Sequence, residues 1–313
     1  MPGLAQRGAA GTPPSLPQRG AAGPPPSLPQ RGSGDGLSAL PRRTNRTRPA
    51  GRHRSPHRLS VASDAPALVL AVPGSAAADS AEIGPRVAFV AGQSCPGVDI
   101  RVGYLEGTEV TLAESLLPTG PEPQDHDQFP SVVVPLLLSP NGQFDPVIAR
   151  RAAAPGIAAV VAAHLAPHPM VAEALHSRLA EAGLARQTRT SGLSISADDR
   201  GIVVLADVGE EAASAAGVAA VLLASRLSVP VVPASMRDPG SIVEAVNRLS
   251  ESGAQRPVLA PCLIGPETKI SVLEDLSAAL GAPCAPTLGA HEAVGRLVAI
   301  RYGAALTTFS LAG

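Results

Sequence analysis

The sequence predicts an α/β protein made of two homologous, doubly wound parallel-sheet domains in tandem, preceded by a disordered tail. Short apolar runs alternate with alanine-rich helical stretches, and this alternation is typical of parallel β-α units. The same series of segments occurs twice along the chain, and the amino-acid composition of the first sixty residues differs from that of the rest. With 45% hydrophobic and 16% charged residues, most of the chain has the composition of a globular protein.

Residues 1–65 form the predicted tail. Residues 6–17 and 18–29 are a twelve-residue repeat rich in Pro and Gly, which has too few apolar residues to offset the entropy of ordering. Residues 1–60 hold ten Arg and one Asp, a net charge of +9, although the whole chain has −1. The arginine run at 42–58 is typical of nucleic-acid or anionic-surface binding. A solvated tail, or upstream coding sequence wrongly included, is the interpretation that we favour.

The first globular half is predicted to span residues 66–185. Its apolar runs are bounded by turn residues and suit strands buried on both faces, and the stretches between them have helical periodicity. The predicted strands are Leu68–Val72, Ile100–Leu105 and Ser131–Leu138, and the predicted helices are Ala76–Gly92, Glu109–Leu117 and Pro169–Ala182.

The second half is predicted to span residues 201–313, after a polar linker at 186–200. It repeats the alternation of the first half. The predicted strands are Ile202–Ala206, Val229–Val232 and Pro257–Ile264, and the predicted helices are Ala212–Ser225, Ser241–Ser252, Ile270–Leu280 and Glu292–Tyr302.

The two halves align with each other at three places, in the same order. The matched pairs are Leu68–Gly74 with Val203–Gly209, Ser131–Pro140 with Pro257–Pro266, and Leu165-x-x-His168-x-x-Val171 with Leu288-x-x-His291-x-x-Val294. Such ordered self-similarity indicates a duplicated α/β unit of about 120 residues. A pair of this kind has a cleft at the carboxyl ends of its strands. Because one chain holds both cleft walls, we expect a monomer.

Several functional classes lack support in the sequence. The chain has three Cys and no C-x-x-C motif, which argues against a disulfide framework or a structural zinc site. It has no Walker loop, G-x-G-x-x-G or G-x-S-x-G motif. Aromatic residues are 2% of the chain, and no apolar run is long enough to span a membrane. We therefore expect a cytoplasmic protein with neither a membrane nor a nucleic acid as its partner.

The loops that follow the predicted strands carry the candidate site residues. Pro73, Gly74 and Ser75 follow the first strand, Glu106 follows the second, and Ser139–Gln143 follows the third. Backbone N–H groups and a Ser hydroxyl at a helix N-terminus can bind a carboxylate. We therefore predict that Gly74 and Ser75 bind an acidic side chain of a ligand.

Five segments together resemble the sirohydrochlorin chelatases, the class II cobalto- and ferrochelatases of cobalamin and sirohaem biosynthesis, in their long, internally duplicated actinobacterial form. The resemblance covers residues 66–306. The segments are LVLAVPGS at 68–75, VDIRVGYLE at 98–106, PLLLSPNGQ at 135–143, LAPHPMVAEALHSRL at 165–179 and LGAHEAVGRLVAIRY at 288–302. The resemblance implies two tandem chelatase-like domains and insertion of Co²⁺ or Fe²⁺ into sirohydrochlorin, a tetrapyrrole that carries eight carboxylates.

The resemblance also implies a catalytic group of two His and one Glu. Neutral imidazoles are exchangeable ligands for these metals, and a carboxylate can accept the pyrrole protons. The family's positions fall on Pro73, Glu106 and Gln143, so only Glu106 is retained as a metal and catalytic residue. Gly74, Ser75 and Asn141 are the implied substrate-binding residues. The metal would be a substrate, and no permanently bound cofactor is expected.

Three functions stay open at this point: a working chelatase with Glu106 and unexpected ligands, a degenerate tetrapyrrole-binding or regulatory paralogue, and a scaffold that uses only the fold. Other polar residues of the loops have simpler interpretations. We expect His168 and His291 to pack or hydrogen-bond at helix starts rather than to bind metal. The carboxylates of Asp207, Glu210 and Glu267 are expected to be solvated loop acids.

Overall fold

The computed structural model describes residues 65–78, 81–117, 131–185 and 199–310, with side chains described up to residue 308. Nearly all of the predicted tail and most of the predicted linker lie outside these residues. The segment from Arg52 to Gly313 forms one compact unit that includes both halves. The boundary between two separate domains therefore stays a prediction.

The first half contains a four-stranded parallel sheet, sheet 1. Its strand order is β2-β1-β3-β4, so the chain passes from β1 to β2 on one side and then crosses to β3 on the other. The strands are β1 (Leu68–Val72), β2 (Ile100–Tyr104), β3 (Ser131–Pro135) and β4 (Ala159–Val161), and the helices are α1 (Ile83–Ser94), α2 (Leu112–Leu116), α3 (Asp145–Ala152) and α4 (Pro169–Glu181).

The second half repeats this arrangement in a three-stranded parallel sheet, sheet 2. Its strand order is β6-β5-β7, and Cys284 extends the sheet by a single bridge to Leu259, beside β7. The strands are β5 (Arg200–Ala206), β6 (Val231–Ser235) and β7 (Arg256–Pro261), and the helices are α5 (Glu210–Leu227), α6 (Pro239–Glu251), α7 (Ile270–Leu280) and α8 (Glu292–Ser310). None of the helices within the described residues is long and apolar enough to cross a membrane.

Alternate residues of the central strands enter different hydrophobic layers. In β1, Leu68 and Leu70 face a large core between the two sheets, whereas Val69 faces an outer core beneath α2 and α3. In β5, Val204 faces the same large core, and Val203 faces a second outer core beneath α6 and α7. This alternation follows from the two-residue period of a strand. The fold thus stacks outer helices, sheet 1, a shared helical layer, sheet 2 and outer helices.

The last helix of each half packs against the other half. Helix α8 contacts α1 and β3 of the first half, and α4 contacts α5 and β7 of the second. Helix α5 buries a row of small side chains that let the packed helices approach closely: Ala212, Ala215, Ala216, Ala219 and Ala220. Because the helices are exchanged, the central core belongs to both halves at once.

Two arginines join the halves in a reciprocal manner. Arg178 of α4 donates from Nε and Nη2 to the carbonyl oxygen of Leu288, at 3.1 and 2.6 Å. Arg301 of α8 donates from Nη2 to the carbonyl oxygen of Leu165, at 3.0 Å. Leu165 and Arg178 are as far apart in the sequence as Leu288 and Arg301, so the two contacts are equivalent. Such equivalent contacts are expected at a pseudo-twofold interface between two similar halves.

The two histidines of the matched motifs cap helices, as predicted. His168 is the N-cap of α4, and its Nδ1 accepts the backbone N–H of Met170 at 3.2 Å. His291 precedes α8, and its Nδ1 accepts the backbone N–H of Ala293 at 3.1 Å. Burial lowers the pKa of both imidazoles, and the guanidinium of Arg301 or Arg178 lowers it further. Both rings therefore have the neutral, accepting form that this cap requires.

Most predicted elements are confirmed, but two were missed and several bounds are wrong. The prediction omitted α3 and the three-residue strand β4, although β4 lies in the apolar run IAAVVAA at 157–163. Strand β7 ends at Pro261 rather than Ile264, and α8 continues to Ser310 rather than ending at Tyr302. Helix α1 begins at Ile83 rather than Ala76, and β3 ends at Pro135 rather than Leu138. Residues 136–138 are buried without forming part of the strand, which is why their apolar character extended the prediction.

A pair of Gly→Ala variants tests the contact between α1 and α8. A Cβ atom on Gly295 would lie 2.7 Å from Val90 Cβ and 3.1 Å from Ala91 N, whereas one on Gly217 of α5 would meet nothing within 4 Å. We expect Gly217→Ala to raise the free energy of unfolding by about 0.5–1 kcal/mol, because alanine favours helix. Gly295→Ala should lower it by about 1–2 kcal/mol, because overpacking outweighs that gain. Urea unfolding of both variants measures the difference, and a stabilised Gly295→Ala variant would contradict the packing.

Candidate functional site

The candidate site lies at the carboxyl ends of β1, β2 and β3. These strands are neighbours in sheet 1, and the chain reverses its direction of winding between β1 and β3. In open parallel sheets this switch point is where ligands bind. Pro73 and Gly74 follow β1, Glu106 follows β2, and the loop with Asn141 and Gln143 follows β3. The structure therefore brings the predicted site residues to one edge of one sheet.

Glu106 and Gln143, which lie far apart in the sequence, meet directly. The Nε2 of Gln143 donates a hydrogen bond to Oε1 of Glu106 at 3.2 Å, and both side chains are exposed. A carboxylate only accepts hydrogen bonds, so Gln143 presents its amide N–H to Glu106. Pro73 is buried and contributes no donor atom. Within the described residues, no group of three or more His, Cys, Asp or Glu side chains has a metal-binding arrangement.

Asn141 organises the loop that contains Gln143. Its Oδ1 accepts the backbone N–H groups of Gln143 at 2.9 Å and Phe144 at 3.3 Å. Its own backbone N–H donates to Asp145 at 3.0 Å, and its Nδ2 donates to Oδ2 of Asp207 at 2.8 Å. Asn141 was predicted to bind substrate, and the structure gives it bonds that hold the loop and join the two halves.

Gly74 and Ser75 lie in a close turn, but not at a helix N-terminus. Gly74 has a φ of +79°, and a Cβ there would lie 3.6 Å from the carbonyl oxygen of Pro266 in the second half. A Cβ on Gly107, whose φ is +84°, would lie 3.0 Å from Ser75 Cβ. Since α1 begins only at Ile83, the predicted carboxylate site at a helix start beside Ser75 is wrong in that respect. The turn itself does face the second half.

The second half supplies charged groups to the opposite wall. Asp207 follows β5, and its side chain is only 12% exposed; its Oδ1 lies 4.0 Å from Nε of Arg237. Glu267 accepts the backbone N–H groups of Ile264 at 2.5 Å and Gly265 at 2.7 Å. The expectation of solvated acids was therefore wrong for Asp207 and Glu267, because both are bonded within the fold.

Asp145 and His164 form a hydrogen-bonded pair beside the cleft that the sequence interpretation did not assign. Nε2 of His164 lies 2.9 Å from Oδ1 of Asp145, which is the first residue of α3. The other carboxylate oxygen of Asp145 accepts the N–H of Asn141. His164 follows β4, so the prediction missed this pair together with α3 and β4.

The loops of the two halves enclose a cleft of about 500 Å³. Its volume falls in the range of small-molecule sites in proteins. Its lining residues come from both halves: Pro140, Asn141, Gly142, Gln143, Asp145, Pro146, Val208, Gly209, Glu211 and Arg237. The cleft that the duplication predicted is thus present at the carboxyl ends of the strands.

Glu267 gives the second wall a pH-dependent stability. Burial raises the pKa of its carboxyl from 4.5 to about 7, and the charge of Asp207 adds to this, whereas backbone hydrogen bonds oppose it. Between pH 4.5 and 7 the folded state holds a proton that the unfolded state has released. This contribution to stability is present below pH 4.5 and is lost as the pH rises through 7.

We expect Glu267→Gln to flatten this pH dependence, because an amide does not titrate. The measurement is the urea concentration at the midpoint of unfolding, at about pH 5 and about pH 8. Between these two pH values the midpoint should decrease more for the wild type than for the variant. Glu210→Gln is the control, since Glu210 is an exposed residue at the start of α5. Equal slopes for wild type and Glu267→Gln would show that Glu267 is ionised throughout this range.

No protein-family profile matches the chain, and no curated protein sequence does. Solved structures do match. A multi-domain protein from Deinococcus radiodurans, DR2241, described as structurally similar to chelatases with two additional novel domains, has a TM-score of 0.55 and 20% sequence identity. The match covers 76% of this chain and 55% of DR2241, so the chain spans about half the length of that protein.

The sirohydrochlorin chelatase SirB is a second kind of match. SirB from Bacillus subtilis subspecies spizizenii, in complex with cobalt, has a TM-score of 0.52 and 18% identity over 76% of this chain and 94% of SirB. SirB from Bacillus subtilis with Fe³⁺ has a TM-score of 0.54 and 17% identity over 75% of this chain and 94% of SirB. The chain therefore has a chelatase-like α/β fold with two parallel sheets.

Proposed function

We propose that the protein binds a sirohydrochlorin-type tetrapyrrole in the cleft between its halves and inserts metal into it poorly or not at all. The hydrogen bond between Gln143 Nε2 and Glu106 Oε1 is the observation that carries this proposal. This bond supports the proposal because it joins two of the three positions that the resemblance implies, with an amide where the resemblance implies an imidazole. The third position, Pro73, has no donor atom.

The chemistry of metal insertion explains why this change matters. The ion has to be held beside the macrocycle by exchangeable ligands, and imidazole nitrogen suits Co²⁺ and Fe²⁺ far better than an amide oxygen does. Loss of even an outer-sphere partner weakens metal binding by about tenfold or more, so loss of two ligands should be more severe. Co²⁺ or Fe²⁺ would in any case be a substrate and not a resident cofactor.

The cleft and its hydrogen-bonded loops support the binding of a ligand without insertion of a metal. The cleft is large enough for part of a macrocycle, opens between the two halves and has polar groups on both walls. Its loops are braced by internal hydrogen bonds, chiefly those of Asn141, and such preorganisation reduces the ordering cost of binding. A protein of this kind would carry or sequester a tetrapyrrole, or regulate an active relative.

A working chelatase with unexpected ligands is the second candidate. The observation that favours it is the pair of His164 and Asp145, which places one imidazole next to a carboxylate of the cleft wall. In this reading the carboxylate of Asp145 would accept a pyrrole proton, and the Nε2–H of His164 would hold that carboxylate in position. A rate that depends on His164 would identify this alternative.

The first experiment measures the rate of Co²⁺ and Fe²⁺ insertion into sirohydrochlorin by the wild type and by Pro73→His/Gln143→His. We expect the wild-type rate to equal the uncatalysed rate, and the double variant to exceed it by about tenfold or more, because two imidazoles would then stand beside Glu106. Gln143→His alone is a second variant, since Gln143 is exposed and the change disturbs no core contact.

Binding is measured separately by the absorption spectrum of sirohydrochlorin on mixing. A spectral shift without insertion in the wild type agrees with the proposal. Insertion by the wild type well above background, abolished in His164→Ala, would replace it with the working chelatase. No spectral shift at saturating protein would overturn tetrapyrrole binding in both forms.

A further inference from the structure

The backbone hydrogen bonds at the strand ends identify which residues of the two halves are equivalent. After β2, the N–H of Leu105 donates to the last residue of β1, Val72, at 3.0 Å. After β6, the N–H of Met236 donates to the last residue of β5, Ala206, at 2.8 Å. The residue that directly follows Leu105 in the first half is therefore structurally equivalent to the residue that directly follows Met236 in the second half. In the first half it is Glu106, and in the second half it is Arg237.

The same comparison matches the other site positions. The N–H of Leu136 donates to Ala71 at 2.9 Å, and the N–H of Cys262 donates to Leu205 at 2.8 Å. Counted from these bonds, the positions equivalent to Asn141 and Gln143 are those of Glu267 and Lys269. The second half thus has cationic residues, Arg237 and Lys269, where the first half has Glu106 and Gln143.

Arg237 is available to a ligand. Its side chain is 60% exposed, and its nearest acidic partner, Asp207, lies 4.0 Å away, at the limit of an ion pair. The other carboxylate oxygen of Asp207 already accepts the amide of Asn141. Because Arg237 is largely exposed and the distance is at the limit of an ion pair, the contact contributes little stability and a competing anion displaces it at low cost.

Among the described residues that line the cleft, Arg237 is also the only cationic one. The carboxylates that line the cleft are already stabilised, either by a bonded side chain or by a helix N-terminus. Asp145 is paired with His164, and Glu211 lies in the first turn of α5, where the N–H groups of the helix favour a negative charge. A carboxylate that enters the cleft therefore finds one favourable position, beside the guanidinium.

We propose that Arg237 binds a peripheral carboxylate of the tetrapyrrole and so fixes the orientation of the macrocycle in the cleft. This inference rests on the proposed function, because it assumes a ligand with acidic side chains. The planar fork of a guanidinium matches a carboxylate with two parallel hydrogen bonds, which gives direction as well as charge. With Gln143 of the first half on the other wall, the ligand would present one acidic edge to the second half.

The test uses uroporphyrin I, a metal-free tetrapyrrole with carboxylate side chains, in absorption titrations of the full chain. We expect Arg237→Ala to raise the Kd by about tenfold, as loss of one charge-assisted contact does. Arg237→Lys, which keeps the charge but not the fork, should raise it by about threefold. Arg248→Ala is the matched control, since Arg248 is exposed at the far end of α6, and its Kd should equal that of the wild type.

A salt comparison separates a contact with the ligand from a role in folding. Between about 0.05 M and about 0.5 M salt, wild-type affinity should fall more than that of Arg237→Ala, because the charge that is screened is absent from the variant. Wild-type binding with unchanged affinity in Arg237→Ala would overturn the role of Arg237 and leave the proposed function intact. Absence of binding by the wild type would overturn both. A loss in Arg237→Ala that Arg237→Lys does not partly restore, with an unchanged salt slope, would mean that Arg237 acts only in the fold.

Discussion

The exchange of the last helix between the two halves is the constraint on which the rest of the structure depends. Helix α8 packs on β3 of sheet 1 and α4 packs on β7 of sheet 2, so each sheet buries its inner face partly under a helix of the other half and partly under its own α1 or α5. Two hydrogen bonds add to this dependence. Arg178 of α4 donates to the carbonyl oxygen of Leu288, just before α8, and Arg301 of α8 donates to that of Leu165, just before α4. Because these contacts lie between the halves, they fix the separation of the strand ends and therefore the width of the cleft.

The cleft itself is held by hydrogen bonds among its own side chains. Asn141 forms hydrogen bonds within its own loop and donates one to Asp207 of the second half. Gln143 donates a hydrogen bond to the carboxylate of Glu106. A metal ion that approached Glu106 would have to displace the amide of Gln143 and would find no imidazole in its place. The second wall offers a guanidinium at the equivalent position, which favours an anion and disfavours a cation. The fold is chelatase-like, and its cleft carries the amide of Gln143 and the guanidinium of Arg237.

Much of the secondary structure followed from the sequence. The run Leu68–Val72 was predicted with the bounds that the structure gives it, because a central parallel strand is apolar on both faces. The helix over Ile270–Leu280 was predicted equally well. The prediction missed β4, which has only three residues, and α3, whose exposed Arg150 and Arg151 hide its short apolar face. The pairing of His164 with Asp145 was missed for the same reason, since it joins these two elements.

The sequence by itself determined the α/β class, the repeated segments and the edge of the sheet where the predicted site residues lie. These are consequences of periodicity, of repeated segments and of residue type, which are local properties of the chain. Only the tertiary structure decided that Asp207 and Glu267 are bonded inside the fold and that Arg237 lines the cleft. Asp207 is bonded to Asn141 of the other half, 66 residues earlier in the chain, and the exchanged helices bring the two halves together.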